Sequence, residues 1–407
     1  MRSISAGFGA IHFIRLTLRL PGSAFTSGRR EQVWTRKLDN VVESKHARPS
    51  SAVAPQNDGK PMRQAVFVEP GRLEFREAPD PVLTSAASAL VRPLVVGRCD
   101  LDVLYLSGRV PLAAGEPIGH EIIGEIVDLG EAAAQQFQVG QRVIVPAQIS
   151  CGTCRRCRLG LTGRCEAVPF GASYGMGRAG GFGGGLAELV LAPFATGMLV
   201  PLPTGVDPVP LIGLADMATD AWRAVGPPLQ DRPEADVLVL AGLTPVIGLY
   251  SAGLAVVLGA RNVDYVDACP ERRKVAEAYG ARAFETCEAL PSGEYEIIVD
   301  MSAQPELLSA AIRLCAPEGV ITSVATSRRS PQLPLAEMYF KGVTYKTGRP
   351  NCRHGHDGAL HAWAAKGFKP DLVGPKLFDF NDAPEAWVDP ALYVAVALST
   401  EAQDAQS

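Results

Sequence analysis

After Met62 an apolar run at residues 65–68 is followed by a turn at Pro70-Gly71, and polar and apolar positions then alternate through Leu73 and Phe75. That pattern predicts a strand, a tight turn and a second strand. Further short strands are predicted at residues 89–96, 121–129, 142–147 and 186–191, separated by Gly and Pro turns as far as about residue 213. Such spacing suggests a small, partly open β-barrel. From residue 236 the period changes. Strands at 237–240, 262–266, 296–300 and 320–324 alternate with helices at 248–258, 271–279 and 305–314, which builds a doubly wound parallel α/β sheet. After residue 346 the pattern is mixed, with a helix at 358–366 and a short one at 383–388. Residues 237–260 carry no charge and are long enough to span a bilayer, but Gly242, Pro245 and Gly248 interrupt them where a strand would turn into a helix. The run therefore reads as a buried strand-turn-helix unit. Residues 1–61 show no sustained period and are rich in Arg, Ser, Gly and Pro. They read as a disordered or non-native extension, an Arg-rich targeting peptide being the alternative, and folding is expected to begin at Met62.

Composition narrows the partners. The 407 residues are 47% hydrophobic and 20% charged, which is globular and long enough for two or three domains. Residues 1–61 hold ten Lys/Arg against four Asp/Glu, so the rest of the chain is more acidic than the net charge of -4 suggests. An acidic body argues against nucleic acid as a partner.

The densest chemistry is Cys151-Gly-Thr-Cys154-Arg-Arg-Cys157 followed by Cys165. Four thiolates in one loop can close a tetrahedron around a structural zinc, whereas disulfides between cysteines only two residues apart would be strained. A nucleotide signal follows at Ala241-Gly242-Leu-Thr-Pro-Val246-Ile247-Gly248, between a strand and a helix. Glycines there allow a tight turn and let backbone N–H groups approach a pyrophosphate. The run differs from GxGxxG by one extra residue and a missing middle glycine. Asp267, at the end of the next strand, stands where a carboxylate would receive a ribose and repel a 2′-phosphate, favouring NAD over NADP; Arg272 and Arg273 behind it soften that preference. Cys99 and His120 are candidates for two ligands of a second, catalytic zinc.

In this order, a cysteine after an early strand, Gly119-His120-Glu121, the four-cysteine lobe and a Rossmann unit, the chain resembles the zinc-dependent alcohol dehydrogenases of the medium-chain dehydrogenase/reductase family. The resemblance implies a GroES-like β-barrel catalytic domain at 62–213, a Rossmann dinucleotide-binding domain at 214–345, and a return to the catalytic domain at 346–407. It implies Asp216 as third ligand beside Cys99 and His120, with Glu121 competing, and Asp102 as the carboxylate that orients the histidine. Many members carry a hydroxyl two residues after the cysteine ligand to relay a proton. This chain has Leu101 there, which leaves Asp100, a water chain or the cofactor ribose for that work. The basic loop with Arg349, Arg353 and His354 reads either as a reach towards the cofactor phosphates or as a surface loop. The implied activity is hydride transfer between an alcohol or polyol and NAD by a cytoplasmic homodimer or homotetramer with two zinc ions per subunit. A glutathione-independent aldehyde-dismutating enzyme with tightly held NAD, and a nucleotide-binding member without turnover, are the alternatives.

Overall fold

The computed structural model describes residues 61–177, 181–325, 327 and 329–398. The expected extension at 1–61 lies outside the described residues but for its last one.

The parallel sheet takes the strand order Arg282–Phe284, Asn262–Val266, Asp236–Leu240, Tyr295–Asp300, Cys315–Ser323, Thr344–Thr347. Numbered by chain position within the sheet this is 3-2-1-4-5-6, the dinucleotide-binding order. Alternate residues of its central strand enter different cores. Val237 and Val239 pack with Leu249, Ala252 and Ile297, while Leu238 and Leu240 pack with Leu308, Ile312 and Ile321. A strand covered on both faces needs an unbroken apolar run, which explains why residues 237–240 show no alternation. The uncharged stretch is this strand followed by the helix Pro245–Val257. No helix among the described residues is long and apolar enough to cross a membrane.

A second sheet runs Lys376–Asp379, Val394–Ala397, Ala89–Gly97, Glu121–Leu129, Arg142–Val145, Val200–Pro201, with Val190–Ala192 also paired to Ala89–Gly97. Its pairings are antiparallel except the first. Val394–Ala397, from the end of the chain, thus joins the early strand Ala89–Gly97. Met62–Glu69 and Arg72–Ala78 form the expected hairpin.

Element boundaries depart from the sequence pattern in several places: the strand expected at 186–191 is confined to Val190–Ala192, and the helices Asp100–Leu106 and Leu335–Lys341 were not expected. The helix Met217–Asp231 was not visible in the periodicity, because Pro227 and Pro228 interrupt its last turn. Burial of Ala218, Ala221, Val225 and Leu229 along one face, against the helix Pro245–Val257, outweighs them. The helix predicted at 358–366 begins six residues earlier, at Cys352, since the poor helix formers Gly355 and Gly358 mask its first turns.

Candidate metal and dinucleotide sites

Three ends of elements meet where the two sheets share a core. Cys99 follows the strand Ala89–Gly97 and caps the helix Asp100–Leu106. His120 precedes the strand Glu121–Leu129, and Asp216 caps the helix Met217–Asp231. Arg98 fixes the first corner, donating to the carbonyls of Trp387 and Asp389 at 2.8 and 2.6 Å.

The sulfur of Cys99 lies 3.3 Å from Oδ2 of Asp216, and Nε2 of His120 lies 3.6 Å from the same oxygen. All three side chains are buried, with ligand atoms within 4.8 Å of one another. Tetrahedral zinc with bonds of about 2.0–2.3 Å separates its ligand atoms by roughly 3.3–3.8 Å, so the donors fit the ion. Electrostatics agree. Neither ring nitrogen of His120 has a hydrogen-bond partner, although the side chain is fully buried. Burial, and after it the negative charge of Asp216 and Glu121, pushes the Cys99 thiol well above its ordinary pKa. A cation between these groups would relieve both conditions.

Asp102 stands behind the histidine. One oxygen accepts from the N–H of Cys99 at 3.0 Å, and the other is 3.6 Å from Nδ1 of His120. Burial pushes its pKa up to about 6, against the pull of His120. Glu121 is set back from the three donors. Its oxygens accept from the Met217 N–H at 3.1 Å and the Tyr393 hydroxyl at 2.6 Å, and burial raises its pKa well above the usual range. Gly97 permits this, because any Cβ there would strike the Glu121 carboxylate.

Cys151, Cys154, Cys157 and Cys165 bring their sulfurs within 4.8 Å of one another. Backbone N–H groups converge on them: Cys154 on Cys151 at 3.3 Å, Cys151 and Ala167 on Cys165 at 3.4 Å each, and Cys157 and Glu166 on Cys154 at 3.4 Å each. Such donors stabilise thiolates. The Glu166 and Cys157 N–H groups hold the Cys154 pKa down at about 6. The donor set therefore fits zinc.

Beside the Cys99 group a cleft of about 1060 Å³ is lined by Cys99, His120 and Asp216 on one side and by Gly242, Thr244 and Ile247 on the other. A side chain at Gly242 would collide with the Ser302 backbone, so glycine is required for the turn to pass the neighbouring strand end. The helix start is not vacant. The Asp100 carboxylate accepts from the Val246 and Ile247 N–H groups, both at 3.1 Å. Burial lifts the Asp100 pKa to about 7, against those N–H bonds. Facing the helix, Asp100 is not set to relay a proton from the metal donors, and that expectation is withdrawn. Leu101 does line the cleft.

Asp267 follows the strand Asn262–Val266, as expected, but it is already engaged. Arg272 grips both its oxygens at 2.6 Å, and Tyr265 and the Cys269 N–H add bonds at 2.9 Å. Of the basic loop, Arg349 lines the cleft, whereas Arg353 pairs with Asp357 at 3.0 Å.

The residue that sequence reasoning missed is Cys352. It was grouped with the scattered thiols, yet its sulfur lies 3.2 Å from Oδ1 of Asp216. Only the fold brings together residues 136 positions apart.

A dinucleotide-type sheet facing buried zinc-type donors across a cleft defines the zinc-type dehydrogenase class. Comparison supports it. The family model of the alcohol dehydrogenase GroES-like domain matches residues 85–204. A medium-chain reductase/dehydrogenase from an Acremonium species is 30% identical over 68% of this chain and 98% of its own length. Zinc-type alcohol dehydrogenase B of Aspergillus flavus is 27% identical over 80% of this chain and 78% of its own. The solved alcohol dehydrogenase of Thermus sp. ATN1 superposes with a TM-score of 0.76 at 28% identity, covering 83% of this chain and all of that one. The chain belongs to the medium-chain dehydrogenase/reductase family, with its GroES-like and Rossmann folds.

Proposed function

We propose that this protein is a zinc-dependent oxidoreductase that moves hydride between the carbinol carbon of a small alcohol and NAD. The buried approach of Cys99, His120 and Asp216 beside the Gly242 turn is the observation that carries the reading. Those three side chains would hold a catalytic zinc, which when bound lowers the pKa of a substrate hydroxyl and polarises a carbonyl. Asp102 faces the imidazole Nδ1 at 3.6 Å, and its charge favours the orientation that turns Nε2 towards the other donors. Glu121, held by Tyr393 and Met217, serves as a reserve carboxylate rather than a standing ligand. Leu101 presents no hydroxyl to the cleft, which leaves a water chain or the cofactor ribose to carry the substrate proton. Cys151, Cys154, Cys157 and Cys165 would hold a second, structural zinc.

The Gly242 turn seats the nicotinamide dinucleotide, and Asp267 receives the adenosine ribose once Arg272 moves aside. NAD is preferred because a 2′-phosphate would meet the Asp267 carboxylate, while Arg272 keeps some tolerance for NADP. A second copy of this chain is the expected partner, and free thiols throughout suit a reducing cytoplasm.

An absorbance screen at the NADH band, with primary, secondary, polyol and aromatic alcohols and both coenzymes, tests the reading. Turnover is expected with NAD and is expected to vanish in Cys99→Ala and His120→Ala. Full activity in either variant sinks the catalytic-zinc assignment. Coenzyme that stays bound through purification, with aldehydes dismutated, selects the dismutase reading instead.

A further inference from the structure

The helix Pro245–Val257 begins without its own cap. Thr244 occupies the N-cap position but makes no capping bond, and its hydroxyl is 3.4 Å from the Met301 sulfur. The free N–H groups of Val246 and Ile247 are served by a carboxylate from elsewhere in the chain, Asp100, at 3.1 Å each. Asp100 is 4% exposed and adjoins Cys99, so it is held between the proposed metal site and the helix.

This helix follows the first strand of the parallel sheet, at the point where the strand order reverses. In such sheets the N–H groups at the start of that helix receive the pyrophosphate of a dinucleotide. Thr244 and Ile247 line the cleft together with Gly242. Two anions cannot share the same pair of N–H groups, and a buried carboxylate repels a phosphate placed beside it.

We propose that Asp100 is a built-in competitor for the pyrophosphate subsite, which weakens dinucleotide binding and speeds its release. The proposal rests on the dehydrogenase reading above. When a dinucleotide seats, Asp100 swings off the helix start, and when it leaves, the carboxylate returns. The structure thereby supplies a reason for coenzyme to exchange between turnovers, because release of bound ligand often limits such enzymes.

Direct titration of zinc-loaded enzyme with NADH, followed by nicotinamide fluorescence, tests this in the wild type, Asp100→Asn and Asp100→Gly. Asparagine keeps an oxygen for the two N–H groups without the charge; glycine clears the subsite. The expected order of affinity is Gly above Asn above wild type, with at least a tenfold gain between the extremes. A merely structural cap would instead lower the melting temperature of the glycine variant and leave the dissociation constant of Asp100→Asn unchanged or weaker. Equal or weaker NADH binding by folded Asp100→Asn overturns the competitor role alone. Absence of NADH and NADPH binding in all three proteins overturns the dehydrogenase reading itself.

Discussion

Cys352 and Cys99 hold opposite oxygens of one carboxylate: the Cys352 sulfur lies 3.2 Å from Oδ1 of Asp216, and the Cys99 sulfur 3.3 Å from Oδ2. As a buried S–H donor, Cys352 fixes the rotation of Asp216 so that Oδ2 faces His120. Removing such an outer partner typically costs about 10–100-fold in metal affinity. Cys352→Ala is expected to lose zinc to a chelator at about a tenfold lower concentration than wild type, while Cys352→Ser, which keeps a donor, is expected to hold it nearly as well. Identical competition curves for wild type and Cys352→Ala would remove Cys352 from the site.

Legibility in the sequence followed the distance over which each feature is built. The four-cysteine loop spans fifteen residues, so spacing alone brought its sulfurs together. The strand at 237–240 was readable because burial on both faces leaves an unbroken apolar run, and that at 262–266 because Val263, Tyr265 and Val266 favour a strand despite Asp264 between them. Asp216 entered only through family likeness, since nothing local marks a ligand 117 positions from Cys99. Cys352 stayed hidden for the same reason. Asp100 was placed beside the metal by its neighbour in sequence, yet the turn into the helix Asp100–Leu106 aims its carboxylate at a different helix. Side-chain direction at an element boundary cannot be read from spacing.

The four-cysteine knot predicts a separation between stability and chemistry. Cys154 and Cys165 each receive two N–H bonds, but burial raises the Cys165 pKa whereas the Cys154 pKa is held down at about 6, so the Cys154 thiolate is the better prepared of the two. Cys154→Ser is expected to drop the zinc content by one ion per chain and lower the melting temperature by on the order of 5–10 °C, corresponding to a few kcal/mol. The Cys99 site should keep its metal. An unchanged melting temperature, measured by calorimetry alongside metal analysis, would argue against a structural ion in the loop.

His356 makes a pH dependence. It is fully buried, its Nε2 lies 3.0 Å from the Ala215 carbonyl, and burial followed by the charge of Arg353 pushes its pKa down to about 4. The unfolded imidazole takes a proton near pH 6.5. Between there and about pH 4 the unfolded chain binds a proton that the folded chain refuses. Its contribution is whole above pH 6.5 and is lost progressively as pH falls towards 4, to a limit of about 3 kcal/mol. His356→Gln, which keeps a donor for Ala215, does not titrate. The stability advantage of wild type over this variant should therefore shrink as the solution is acidified; parallel curves from denaturant melts at pH 7, 6, 5 and 4 would refute a neutral buried histidine.

The strand Thr344–Thr347 ends the parallel sheet, paired on one side only among the described residues. The helix before it, Leu335–Lys341, exposes Leu335, Tyr339 and Phe340, the last two at 82% and 86%. An open strand edge beside an apolar patch is what a monomer avoids and a two-fold dimer uses, because a second copy offers the same edge and the same aromatic pair across the axis. Charge at the patch would then be duplicated across the interface and desolvated twice. Phe340→Glu is accordingly expected to convert a dimer to monomers in sedimentation velocity at micromolar concentration, with the melting temperature falling because each monomer loses the partner's burial. A wild-type chain that sediments as a monomer would refute the dimer, and a Phe340→Glu chain that remains dimeric would place the assembly surface elsewhere.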